Sequence, residues 1–523
     1  GTDNVAVGAY ALDANTEGND NTALGDNALG ANTTASNNTA VGSSALLSNT
    51  TASNITAVGY AALYANTTGA SNTAVGSNAL AGNTTGNHNI ALGTGALFAN
   101  TTGVHNTGLG FHALNDNTTG GYNTAVGNYA LQTATTANQN VALGYAALNL
   151  NTTGGNNTAL GMSSLPSNTT GDNNTAVGTS AMSANTTGGY NAAVGYLALV
   201  ANTTGVANVA MGYNALGSNT TGTNNVAIGN GALDAVTTNA GEQVAIGVSA
   251  LGACTSGTSN VAVGARALEA TTSGSQNVAV GRYALDANTS AEGNTAVGYA
   301  SLTDNQTGTR NACVGEFAGA NVTGSENTLI GAYAGHNLVG ASNNTIIGYH
   351  SETYANNSSH NIVLGRNVTG VSATDDDYIF TFGGNDGSDR VYNEFDTNAS
   401  WTRVSDERYK EEIKDNTDCG LAFINDLRPV TFKWKPKSQV PEHFPDYDAE
   451  ATERRHDEKM YGLIAQEVKA ALDKHNITDF GGWNEIDNTI QSVSQEMFVH
   501  PLIKAVQELS AKVEELENKL NNN

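Results

Sequence analysis

The sequence predicts a mainly β protein: a β-solenoid of 17-residue coils, then a small β cap, an α/β domain and a C-terminal helix. Three observations carry this. A glycine closing an "AVG"-like triplet recurs every 17 residues from Gly8 to Gly229. After an 18-residue step to Gly247 and a 16-residue step from Gly315 to Gly331, the register runs on to Gly365, giving 22 copies of N-T-A-V-G-x-x-A-L-x-x-N-T-T-G-x-x. Only 13% of the residues are charged, and no Lys or Arg precedes Arg266. Finally, Val499, Leu502, Val506, Leu509, Val513, Leu516 and Leu520 step by 3 and 4, the seam of a coiled coil.

Residues 1–365 form the repeat shaft. "NTAVG" reads as a short strand and "NTTG" as a turn, because Asn and Thr bond their own backbone and Gly accepts positive φ. A 17-residue unit cannot bury its own apolar face, so stacked coils must do so. At about 4.8 Å per coil, the stack would be a rod on the order of 100 Å long. Neighbouring strand residues face opposite ways. Small Ala is therefore expected inside a thin coil, with Val, Leu or Ile outside against sister chains, which predicts a homotrimer or other cyclic oligomer. The alternative is one wider coil that buries both faces. The "NTT" sites at Asn32, Asn66 and Asn100 match a glycosylation acceptor pattern, but a turn asparagine explains the period without sugar. Thr residues placed mainly in turns argue against an ice-binding face.

Residues 366–404 drop the period and read as a small β tip or cap, with alternation at Tyr378–Phe382 and Arg390–Phe395. "GGNDGSD", with Asp386 and Asp389, occurs once and reads as a solvated loop rather than a calcium site. Residues 405–498 have the mixed composition of an α/β domain, and 499–523 form the coiled-coil helix. Cys254, Cys313 and Cys419 are scattered, so neither a disulfide framework nor a metal motif is visible; Cys313 replaces the Ala of its repeat. No cofactor is expected. The net charge of −26 argues against nucleic acid, which needs basic stripes, and no apolar run reaches the roughly 18 residues of a membrane span. The chain opens in repeat register at Gly1 without Met, and a preceding region that joins it to partner proteins is expected.

"SDERYKEEI" from Ser405, "YGLIAQEVKAAL" from Tyr461 and "LIKAVQELSAKVEELENKL" from Leu502 occur in this order. Together they resemble the self-cleaving intramolecular chaperone domain at the C-terminus of phage tail spikes, tail fibres and endosialidases, found also in some membrane-tethered transcription factors. The resemblance covers Ser405 to about Leu520. The shaft repeats also look like shafts upstream of such chaperones and like the heads of trimeric autotransporter adhesins.

The resemblance implies that three chains associate through the C-terminal domain and set the register for slow, non-local β assembly upstream. The chain would then cut itself between Val404 and Ser405. Ser405 would be the nucleophile and Lys410, at the family's spacing, the base that activates it; Asp406 belongs to the motif and would orient the turn. A lysine base needs its pKa lowered by desolvation or by neighbouring positive charge, and Arg408 could supply the latter. Taken alone, "SDERYKEE" also fits a helix N-cap. Some relatives carry His shortly before "GxIAQEV", where this chain has Tyr461. His456, five residues earlier, is the possible accessory group. A chaperone that folds without cutting therefore remains open. Gln466 and Glu467 are expected to hold the domain together.

The function expected from all this is a virion tail fibre or spike, assembled in the host cytoplasm and acting outside the cell. It would bind a host receptor, a glycan or a surface protein. A bacterial surface adhesin is the alternative. A glycan-degrading spike would need paired carboxylates, and neither Asp13, Asp116 and Glu269 nor Asp375 to Asp377 suggests such a pair. Any catalysis would be single-turnover self-cleavage. After release of the clamp, Tyr378, Phe380 and Trp401 would be candidates for receptor contact, unless they form the core of the cap.

Overall fold

The structure, a computed structural model, describes the chain except residues 238–240, 371–377, 385–389, 395–401, 404–412, 442–446, 448, 451, 453–458, 487–489 and 523. It divides into two compact units, Gly1–Val404 and Ser405–Asn523.

In the first unit, each repeat places a short strand in one parallel sheet, from β1 (Val5–Val7) in an unbroken series to β22 (Ile362–Arg366). Successive strands pair one repeat apart, as in Val5↔Thr22 and Ala6↔Ala23. The two irregular steps leave the ladder intact: Val226 pairs with Val244 and Ala312 with Thr328. The inserted and deleted residues both fall between strands, outside the ladder. Every coil therefore stacks on the next one in sequence, as the repeat predicted.

The middle strand residue points inward and the flanking pair outward. Ala23, Ala40 and Ala57 are fully buried, whereas Leu24, Val75 and Leu109 are 46%, 38% and 42% exposed. The coil is thin, and the wider coil that buries both faces is excluded. The column continues inward at the A-L pair, where Ala28 and Leu29 are both fully buried. To turn inward, Leu29 adopts a φ of +56°. A left-handed residue costs about 1–2 kcal/mol, which the burial of a leucine, about 1.5–3 kcal/mol, offsets. The glycine closing the triplet has no such latitude. Gly25 has a φ of +140°, and a Cβ there would lie 2.5 Å from the Gly42 carbonyl oxygen of the next coil.

Asparagine fills the rest of the interior. One column runs through the turns: Asn83 Nδ2 donates to Asn66 Oδ1 at 2.7 Å and to Gly86 O at 3.0 Å. The other precedes each strand: Asn89 N donates to Asn72 Oδ1 and Asn89 Nδ2 to Gly103 O, at 2.9 and 2.8 Å. Asn32, Asn66 and Asn100 are fully buried, so the folded shaft cannot offer them to a glycosyltransferase. Threonine adds an outer rail, Thr84 Oγ1 donating to Thr101 O at 3.0 Å. Threonine also occupies the first strand position, half-exposed beside the apolar column, so it is not confined to turns.

Near the end of the shaft the interior is repacked without loss of volume. Leu329 and Ile346 take the inward strand position of Ala, and the inward leucine after it becomes Gly335 in the first of these coils. A Cβ on Gly335 would lie 2.8 Å from Leu329 Cδ2. Cys313 sits in the same inward column and, like Cys254 in the turn-asparagine column, is buried and free; burial pushes both thiols up. β23 (Ile379–Gly384) continues the parallel ladder from β22, and β24 (Arg390–Glu394) and β25 (Thr402–Arg403) turn it antiparallel. The cap thus extends the shaft sheet.

The second unit holds α1 (Leu421–Asp426), the antiparallel pair β26 (Val430–Phe432) and β27 (Met460–Gly462), and α2 (Ala465–Lys474). A second antiparallel pair follows, β28 (Trp483–Ile486) and β29 (Ile490–Val493), and then α3 (Val499–Asn521). Its core is built on Phe423, Val468, Leu472 and Phe498, with Phe480 edge-on to Phe498 at 5.1 Å. Among the described residues no helix is long and apolar enough to cross a membrane.

The asparagine column contains its own test. Ala134 replaces one asparagine, and the Asn117 Oδ1 facing it is buried with no hydrogen-bond partner. Ala134→Asn is expected to stabilise the shaft by about 1 kcal/mol, and Asn100→Ala to cost about 1–3 kcal/mol, read as shifts in denaturant midpoint. Equal midpoints for both variants and the parent would show that the amide column carries no stability.

Candidate functional site

The predicted cleavage constellation lies outside the described residues: Val404, Ser405, Asp406, Lys410 and His456 have no geometry here, and neither has Trp401. The structure describes what surrounds them along the chain. Arg403 ends β25, antiparallel to Val391, so a paired strand leads directly to the Val404–Ser405 bond. On the other side, Asn416 Oδ1 accepts from the amides of Asp418 and Cys419 at 3.2 and 3.1 Å, forming the turn that enters α1. Asp386 and Asp389 also lie outside the described residues.

Of the receptor candidates, Tyr378 is 47% exposed and stacks on His360, with centroids 4.6 Å apart and planes 14° off parallel. Phe380 pairs with Ile362 across the ladder, and Phe382 with Leu364. They therefore prolong the outward columns of the shaft. The inward residues of β23 are Ile379 and Thr381, 3% and 0% exposed, so Phe380 is not the core of the cap.

Glu467 takes the structural part expected of it. At the start of α2 it forms a two-pronged ion pair with Arg428, Arg428 Nε reaching Glu467 Oε2 at 3.1 Å. The pairing holds the Glu467 carboxyl below its ordinary range and the guanidinium above its own. Both side chains are substantially exposed, so the pair orients more than it stabilises. Tyr461, which precedes the "GLIAQEV" stretch, lies on β27 and is 71% exposed.

The second constellation is on α3. Pro501 and Ala505 are buried against the unit, and Glu508 Oε2, on the same face, accepts from the Leu421 amide at 2.8 Å at the start of α1. The heptad seam lies elsewhere on the helix: Leu502, Val506, Leu509, Val513 and Leu516 are 45–64% exposed. Val499, Leu502, Ile503 and Val506 line an apolar groove. Among the described residues nothing buries this seam. The sequence pattern showed the seam; that the helix spends its other face on its own domain was not legible.

One electrostatic knot was missed in the sequence, because its members lie about fifty residues apart. Asp426 accepts from Lys474 Nζ at 2.7 Å and from the His475 ring at 2.5 Å. These hydrogen bonds, the lysine's first, hold its carboxyl below the usual carboxylate range.

Residues 405–477 match the family described as chaperone of endosialidase. The chain is also 32% identical over 146 residues to a protein of Escherichia phage Phieco32 described as a probable tail fiber protein. That similarity spans 27% of this chain and 16% of the relative. No solved structure matches significantly.

A depressed carboxyl contributes stability above its unfolded value, near pH 3.9, and loses it as pH falls through the lower folded value. Asp426→Asn is therefore expected to lower the thermal midpoint of the C-terminal unit near neutral pH, with the gap to the parent closing below about pH 4. Tryptophan fluorescence reads this, since Trp434 and Trp483 lie in that unit. A gap that is unchanged at low pH would remove the electrostatic account.

The recognition drawn from the sequence motifs holds: behind a β-solenoid of 17-residue coils, this chain carries a segment matching the endosialidase chaperone family, and it is similar to a phage tail fibre protein.

Proposed function

We propose that the chain is a subunit of a homotrimeric phage tail fibre that recognises the host cell. Its C-terminal unit assembles the trimer and is then released by self-cleavage between Val404 and Ser405. The observation that carries this is a pair of apolar surfaces left exposed among the described residues: the outward columns of the shaft sheet and the seam of α3. Contiguous apolar stripes of this kind mark interfaces. Three copies meeting along the seam would bring three shafts into one register. The family match beginning at Ser405, and the division between the two compact units at the same bond, support the position of the cut. Similarity to a tail fibre protein favours the viral reading over the bacterial adhesin.

In the proposed chemistry Ser405 Oγ attacks the Val404 carbonyl carbon while Lys410, as the neutral amine, takes the hydroxyl proton. The tetrahedral adduct collapses by breaking the Val404–Ser405 C–N bond. The Ser405 amine leaves with a proton, and an ester joins the Val404 acyl group to Ser405 Oγ. Water then cleaves the ester, leaving a Val404 carboxylate and restoring the serine hydroxyl. No cofactor takes part. The freed end would present Tyr378, Phe380 and Trp401 to a receptor, a glycan or a surface protein.

Intact mass of the purified chain beside Ser405→Ala tests the cut. Two fragments meeting at Val404–Ser405 in the parent alone are expected; one unbroken mass in both would make the C-terminal unit a permanent clamp. Leu509→Asp with Leu516→Asp on α3 tests assembly separately, in the Ser405→Ala background that keeps the clamp attached. Light scattering should report a trimer for the single variant and a monomer for the triple one. A monomer for both would end the trimer reading.

A further inference from the structure

The last full coils of the shaft break the repeat where three metal-ligating side chains converge. Glu352 stands in the column that elsewhere buries leucine, as at Leu285 and Leu302. It is an acid only 18% exposed. Its carboxylate pairs with His336 Nδ1 from the preceding coil. The same nitrogen is buried and has no hydrogen-bond partner. His350, two residues before Glu352, places its ring 5.2 Å from that of His336. One ligand atom from each of the three residues falls in a cluster no more than 4.8 Å across.

We propose that His336, His350 and Glu352 form a binding site for a divalent transition metal of the zinc class. Two imidazoles and one carboxylate suit zinc, with cobalt and nickel as substitutes, and disfavour calcium and magnesium, which prefer all-oxygen shells. On binding, a His336 ring nitrogen and the Glu352 carboxylate would turn from each other to the ion. Ligand atoms around a tetrahedral ion with bonds of about 2.0–2.1 Å stand roughly 3.4 Å apart. His350 is exposed and closes the difference by rotating its ring, and water completes the shell.

The supporting groups are in place. Asn337 Nδ2 donates to both Glu352 oxygens at 3.1 and 2.9 Å, the kind of outer contact that orients a metal-bound carboxylate. The backbone is fixed by the coil ladder: His350 N donates to Ala332 O and Glu352 N to Val368 O, both at 2.9 Å. Tyr333 packs edge-on to His336 at 5.6 Å and walls one side. Because His336 belongs to one coil and His350 and Glu352 to the next, a bound ion would staple successive coils at the end of the shaft. No standard ligand spacing announces this in the sequence. The only signal is an acid in a leucine column, two residues after a histidine.

The test uses the full chain without a histidine tag, stripped with chelator and titrated with cobalt(II), then with zinc. Expected are visible cobalt absorption saturating near one ion per chain, its displacement by zinc, and a higher thermal midpoint with zinc bound. His350→Ala, at an exposed position that leaves the fold intact, should weaken binding at least 10-fold, as should Glu352→Gln. His88→Ala, in the stacked His88–His105 column far along the shaft, should leave it unchanged. Absence of saturable binding, or binding insensitive to both site variants, would overturn the proposal and leave the cluster a plain His–Glu ion pair.

Discussion

The shaft depends on one constraint: each coil must satisfy the polar backbone of its turns inside a core only a few side chains wide. Strand hydrogen bonds cover three residues per coil, and buried backbone groups left unpaired are costly. Asparagine resolves this because its short side chain carries both a donor and an acceptor. Facing inward, Asn83 binds the turn of its own coil and the asparagine of the coil before it. The interior therefore stacks amide columns beside hydrocarbon ones. This also explains how so few charged residues suffice: the polar work is done by neutral groups, out of water, in a repeating geometry.

That geometry demands equality between coils. A column of identical residues stacks only while the register holds, so departures must be compensated locally. Gln243 shows this after the 18-residue step: one methylene longer than Asn, it accepts from Asn260 N at 3.1 Å and keeps the pre-strand column continuous. Leu329 with Gly335 exchanges large and small positions within one coil. Where no compensation exists, as at Ala134, a buried oxygen is left over. Outward positions carry no such demand, which is why they vary among Thr, Val, Ile and Ala at the first strand position and among Val, Leu, Ile and Met at the third.

These differences decide what the sequence could tell. The coil, its period and the inward alanine were legible, because stacking copies one local pattern many times and a fault in any copy would show. The heptad seam was legible for the same reason. The cap was only partly so: alternation located its strands, but not that Phe380 would extend the outward face of the shaft. Contacts between residues that share no pattern stayed hidden, such as Asp426 with Lys474 and His475. The chemistry expected at Ser405 rests on motif order and spacing, and its residues lie outside the described part of the chain.

The structure also relocates the problem that an assembly clamp would solve. The sequence reading assigned slow folding to non-local β pairing, yet shaft strands pair 16 to 18 residues apart. Contacts that local close quickly and can propagate coil by coil. Repetition creates a different hazard. Between chains, a slip by one whole coil presents nearly the same outward Thr, Val and Leu columns, so little energy separates the correct alignment from its neighbours. Register is weakly specified wherever the pattern repeats, and misaligned trimers would be trapped by the many contacts they do make. In the proposed trimer, one assembly site outside the shaft, joined before the shafts meet, would remove that degeneracy. The exposed seam of α3, attached to a domain with no 17-residue period, would act in that way.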